Sequence, residues 1–60
     1  MRGVAIEGWK LARRRAVTSW LIENYGQQGV EKRWYIDNDF GLVNLIMDED
    51  IYVLYLLKFG

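Results

Sequence analysis

The segment IYVLYLLKF, residues 51–59, decides the fold, because eight of its nine side chains are apolar or aromatic and only Lys58 is charged. Strand periodicity places alternate residues on opposite faces. On that period Ile51, Val53, Tyr55, Leu57 and Phe59 share one face, and Tyr52, Leu54, Leu56 and Lys58 share the other. The pattern predicts a long strand that is apolar on both faces, and such a strand is normally covered on both.

Two reversals of the chain are predicted before this segment. Residues 30–37, VEKRWYID, alternate with a period of two and indicate a half-solvated strand. Residues 38–41, Asn-Asp-Phe-Gly, supply turn chemistry, and the apolar run 41–47, GLVNLIM, is predicted as the next strand. The acidic residues 48–50 are interpreted as a second hairpin turn.

Upstream of the strands, good helix formers without proline predict a helix over about residues 9–25, closed by Gly26. Val4 and Ile6 alternate with other residues and indicate a short extra strand before that helix, with Gly8 as the break. A helix that begins near Val4 is the alternative. The predicted fold class is therefore α+β, one N-terminal helix packed on a three-stranded antiparallel sheet, with a short extra strand before the helix.

Sixty residues allow one small domain, residues 1–60, which buries only about 60% of the surface of its unfolded chain. The chain has no cysteine and no histidine, so disulfides and Cys/His zinc sites are excluded and association is the remaining source of extra stability. No apolar run of the length of a membrane span is present, and we expect a soluble, cytoplasmic protein.

One helix covers only one face of a small sheet, so the doubly apolar final strand predicts a surface that another protein covers. We expect a small non-catalytic binding protein, of the inhibitor or adaptor type, that forms a homodimer or docks on a partner through the sheet face or edge. Aromatic residues dominate binding hot spots, and this surface carries several of them. The expected partner-binding residues are Trp34, Tyr35, Tyr52, Leu54, Tyr55 and Leu56.

The alternative function is a small nucleic-acid-binding regulator that uses the basic N-terminal helix. Residues 1–15 carry five basic side chains and one acidic one, whereas residues 16–60 carry three basic and seven acidic ones. The side chains expected to contact phosphates are Arg2, Lys10, Arg13, Arg14 and Arg15. On a helix the three consecutive arginines span about 200°, which prevents them from facing one phosphate strand together. Arg13 is instead predicted to lie over an indole ring.

Motifs that suggest catalysis lack the context they need, so we expect no enzyme, no cofactor and no metal. Residues 39–41, Asp-Phe-Gly, copy a kinase tripeptide, but the glycine-rich loop and the catalytic loop of kinases are absent. Thr18 and Ser19 have no histidine to activate them. The consecutive carboxylates 48–50 point apart in a turn and have no further ligand.

Overall fold

A computed structural model describes all residues 1–60 and shows five elements in the order β-α-β-β-α. They are β1 (Arg2–Ala5), α1 (Leu11–Tyr25), β2 (Trp34–Asp39), β3 (Leu42–Met47) and α2 (Glu49–Phe59). The α+β class, the N-terminal helix, the short strand before it and the central hairpin are confirmed.

The final strand of the prediction is wrong, because residues 51–59 belong to α2. The third strand of the sheet is β1 instead. The run at 51–59 is apolar enough to fit either period, and its flanks suit a helix. Glu49 and Asp50 lie in the positively polarised first turn, and Lys58 lies in the negatively polarised last turn. The acidic residues 48–50 therefore begin a helix and do not close a hairpin.

The sheet is antiparallel with the order β1-β3-β2, so β3 lies in the centre. Trp34 of β2 and Arg2 of β1 both lie opposite Met47 of β3. The hairpin turn is formed by Phe40 and Gly41, whose φ angles are 50° and 80°. Two consecutive positive φ angles match the twist of a two-residue hairpin. Residues 30–33, predicted as strand, form a turn ahead of β2.

Both helices cover the same face of the sheet, and the core lies between the helices and that face. Eight apolar residues form this core, and every element or its flank contributes: Ile6, Val17, Leu21, Trp34, Leu45, Met47, Ile51 and Tyr55. The Trp34 indole Nε1 donates a hydrogen bond to the Gly26 carbonyl oxygen at 2.9 Å. The largest core side chain therefore also holds the end of α1 against β2.

No helix covers the opposite face of the sheet. In the register, Gly3, Ile46 and Tyr35 lie side by side across the three strands on that face. A Cβ atom on Gly3 would lie 3.2 Å from the Cδ1 atom of Ile46, so the glycine leaves room for the isoleucine side chain. Ile46 and Tyr35 are half-buried by their neighbours alone, and Asp37 flanks them on β2.

Stability measurements on Ile51→Ala and Val53→Ala separate the helix from a strand at this segment. In α2, Ile51 is fully buried and Val53 is 50% exposed. We expect Ile51→Ala to lower the free energy of unfolding by about 2 to 5 kcal/mol and Val53→Ala by less than about 1 kcal/mol. Urea unfolding at low protein concentration measures both. Similar losses would contradict the helix, because residues 51 and 53 share one face of a strand.

Candidate functional site

The outer side of α2 carries the largest group of exposed apolar side chains in the molecule. Successive residues of a helix are turned by 100°, so Ile51 and Tyr55 face the core, Tyr52 is half-buried at its edge, and the residues on the far side of the helix face outward. The outward apolar residues form what we term the α2 patch: Val53 (50% exposed), Leu54 (48%), Leu56 (43%) and Leu57 (79%). Positions 53, 56 and 57 follow the i, i+3, i+4 spacing of a helix that binds along one side.

Beneath this patch, a row of stacked side chains holds α2 to the rest of the chain. We term it the arginine–aromatic row, and its members are Arg2, Tyr52, Tyr55, Trp9 and Arg13. The Tyr55 ring stacks on Tyr52, with ring centroids 6.3 Å apart, and on Trp9, with centroids 6.2 Å apart. The row connects β1, α2 and the start of α1.

A guanidinium group closes each end of the row. The Arg2 Cζ atom lies 4.7 Å from the centroid of the Tyr52 ring, and the Arg13 Cζ atom lies 4.5 Å from that of Trp9. Arg13 Nη2 also donates a hydrogen bond to the Tyr55 hydroxyl at 3.1 Å. The prediction that Arg13 lies over an indole is confirmed. The guanidinium charge of each arginine is attracted to the electron-rich face of the ring.

A third cluster joins the start of β2 to the start of α2 through Arg33. Its Nε atom lies 3.1 Å from Asp48 Oδ2, and its Nη2 donates to Asp50 Oδ2. The Asp48 backbone N–H donates to the Arg33 carbonyl at 3.1 Å, which fixes the turn between sheet and helix. The Arg33 hydrogen bond holds the pKa of Asp50 below its ordinary value of 3.8.

The predicted partner-binding residues divide into three groups. Leu54 and Leu56 lie on the α2 patch. Tyr35 and Tyr52 are half-buried, the first on the open face of the sheet and the second in the arginine–aromatic row. The other two, Trp34 (1% exposed) and Tyr55 (4% exposed), are core residues of this chain and not exposed anchors.

Sequence reasoning missed two members of the patch, Val53 and Leu57. Both were assigned to the same strand face as Tyr55, whereas the helix turns them away from it. The signal that could have identified them is the charge pattern of the segment. Acidic residues at 48–50 and a lysine at 58 are typical of the two ends of a helix, and a helical period places Val53 and Leu57 on the side opposite Tyr55.

Two of the basic side chains proposed for nucleic acid, Arg2 and Arg13, are engaged in contacts within the chain. Arg2 and Arg13 lie at opposite ends of the arginine–aromatic row, and the Arg2 Nε atom lies 3.7 Å from Glu49 Oε2. Lys10, Arg14 and Arg15 form no ion pair within the chain, whose salt bridges involve only Arg2 and Arg33. Aromatic stacking on bases would need exposed indoles, but Trp34 is buried and Trp9 contacts Tyr55 and Arg13.

The chain has no group of three or more His, Cys, Asp or Glu residues arranged to hold a metal ion, and its surface has no pocket. Neither helix is both long enough and apolar enough to cross a bilayer. Comparison with protein-family models, curated proteins and solved structures gives no significant match. The proposed function therefore rests on the surfaces described above.

The Arg33–Asp50 pair gives the stability a defined pH dependence. Because the pKa of Asp50 is lowered on folding, its contribution is present above pH 3.8 and is lost as the pH falls through the folded-state value. We expect Arg33→Gln to destabilise the protein near neutral pH, and the gap to wild type to narrow at acidic pH. Urea unfolding between about pH 6 and about pH 2 measures this gap. If the difference in unfolding free energy between the two proteins were the same at every pH, the Arg33–Asp50 ion pair would not be its cause.

Proposed function

We propose that this protein is a small non-catalytic protein-binding module, of the inhibitor or adaptor type, whose binding surface is the α2 patch. The observation that carries the proposal is the exposure of four neighbouring apolar side chains on one helix, between 43% and 79% of each residue. The binding element is a helix face, because the segment first predicted as a strand is helical.

The size of the α2 patch supports this choice of surface. Its four residues expose roughly 400 Å² together, which is within the range of functional apolar patches on small proteins. That area is roughly a tenth of the accessible surface of 4197 Å². The open face of the sheet is a weaker candidate, because Tyr35 and Ile46 are half-buried and Asp37 is beside them.

The rigidity of α2 supports binding as well. Ile51 and Tyr55 are buried and the arginine–aromatic row fixes the core side of the helix, so the backbone that carries the outward residues is in place before a partner arrives. A preorganised surface binds with a smaller loss of conformational entropy than a flexible segment does. The complementary surface is an apolar groove or the apolar face of another helix.

Leu57→Asp provides the sharpest test of the α2 patch. Leu57 is 79% exposed, so the substitution adds a charge to the patch without opening the core. We expect a tagged wild-type chain to retain a specific protein from the source cells, and the Leu57→Asp chain to lose it at least tenfold. The measurement is quantitative mass spectrometry of the bound fraction.

Val30→Asp is the matched control, because Val30 is 78% exposed and lies in the turn before β2, outside the patch. The control chain should retain the same protein as the wild type. Equal retention by all three chains would rule out the α2 patch as the binding surface.

Nucleic-acid binding stays a prediction, and it has a separate test. Binding through phosphates releases counterions, so the affinity falls steeply between low and moderate salt. We expect the purified protein to carry no nucleic acid after a high-salt wash and to show no salt-dependent retention on DNA or RNA. Salt-dependent retention that Arg14→Ala and Arg15→Ala weaken, with the α2 patch intact, would favour the regulator over the protein-binding module.

A further inference from the structure

The charges around the α2 patch identify a specific occupant. We infer that a second copy of this chain binds there, with the two α2 helices antiparallel about a two-fold axis beside Leu54. This inference rests on the proposed function, because it uses the same patch and names its partner.

The two ends of α2 carry opposite charge. Its N-terminal end has three acidic residues, Asp48, Glu49 and Asp50, of which Arg2 and Arg33 neutralise two charges, so one negative charge remains. Its C-terminal end has Lys58, which forms no ion pair within the chain. The Lys58 Nζ atom lies over the face of Phe59, 5.8 Å from the ring centroid. The chain therefore offers an unpaired cation on the rim of an apolar patch.

Orientation follows from these charges. In a parallel pair, Lys58 would lie opposite Lys58 of the second copy, and the acidic ends would also meet. In an antiparallel pair, Lys58 lies opposite the acidic end of the other helix, and the helix dipoles oppose each other favourably. Of the two orientations, only the antiparallel one gives the Lys58 ammonium group an oppositely charged neighbour.

The spacing along the helix also fits a two-fold axis. Asp50 and Lys58 are separated by about 12 Å along α2, with Leu54 midway between them. An axis beside Leu54 places each Asp50 opposite the Lys58 of the other copy and brings the two Leu54 side chains together. Leu57, one turn further on, then lies within the contact and Val53 lies at its edge, whereas Leu56 is turned by about 160° from Leu54 and lies outside it.

The area available predicts a weak dimer. With roughly 300 Å² of apolar surface on each copy, from Val53, Leu54 and Leu57, plus the charged rim, the pair buries less than about 1,000 Å² in total, which is the range of weak and transient interfaces. We therefore expect a monomer–dimer equilibrium that depends on protein concentration, without a permanently associated state.

Cysteine cross-linking tests the orientation directly, because the chain has no cysteine of its own. Asp50→Cys and Lys58→Cys are prepared as separate single variants, mixed at equal concentration and oxidised. The antiparallel pair predicts that the mixed disulfide forms at least fivefold faster than either homodimer. Two copies of the Leu54→Cys variant should form a disulfide with each other, and this substitution leaves every ion pair intact. Val30→Cys, exposed and outside the patch, reports the rate of random collision.

Faster homodimer formation by Asp50→Cys and by Lys58→Cys alone would show a parallel pair and overturn the inference. Rates equal to the Val30→Cys rate for all variants, including Leu54→Cys, would overturn it as well. Urea unfolding of each variant before oxidation establishes that it is folded.

Sedimentation equilibrium provides a second test that needs no cross-link. We expect Lys58→Glu to weaken the dimer about threefold to tenfold, Lys58→Arg to preserve it, and Leu57→Asp to abolish it. Lys10→Glu is the charge control and should leave the dimer unchanged, because Lys10 lies at the start of α1.

The two proposals fail separately. A chain that stays monomeric at high concentration overturns the self-pairing of α2. Retention of a different protein that Leu57→Asp abolishes would then keep the binding function. A monomer whose α2 patch retains no protein would overturn both.

Discussion

The docking of α2 on the sheet is the interaction on which the rest of the structure depends. Ile51 and Tyr55 bring the helix onto the same face as Val17 and Leu21 of α1, so that one layer of side chains is shared by both helices and the sheet. A 60-residue chain has little surface to bury, and this arrangement concentrates the burial in a single layer. The same arrangement leaves the outer side of α2 without any cover from its own chain.

The elements with clear periodicity were predictable from the sequence. The cluster Asn-Asp-Phe-Gly at residues 38–41 indicated the hairpin turn, although Asn38 and Asp39 lie in β2 and the two positive φ angles belong to Phe40 and Gly41. The helix α1 has helix formers followed by Gly26. The helical structure of segment 51–59 was not predictable in this way, because a run that is apolar almost throughout fits a period of two as well as a period of 3.6. The acidic residues 48–50 suit both a hairpin turn and the first turn of a helix. Only a helix also explains the lysine at position 58, because a cation is favoured in the last turn.

The errors in the candidate site at residues 51–59 follow from that one assignment, whereas the burial of Trp34 depends on which face of β2 meets the core. A strand places Tyr55 and Leu57 on the same face, whereas a helix separates them by about half a turn, so the predicted anchors were divided wrongly between core and surface. Leu54 and Leu56 were identified as exposed under either period. The contact of Arg13 with Trp9 was predicted from a helix over residues 9–25, in which residues four apart lie side by side. It forms although α1 begins at Leu11, because Trp9 lies just before the first turn of the helix.

The composition of the core has a consequence for motion. Every strand and helix, or the residue directly after it, places at least one side chain in the same cluster of eight, and Trp34 joins the end of α1 to β2 through its indole. Detaching one element would expose core side chains that pack against it. Elements joined through one shared core tend to open together, and only the exposed ends open separately. The protected backbone amides of this chain should exchange their hydrogens with solvent at similar rates, set by unfolding of the whole molecule.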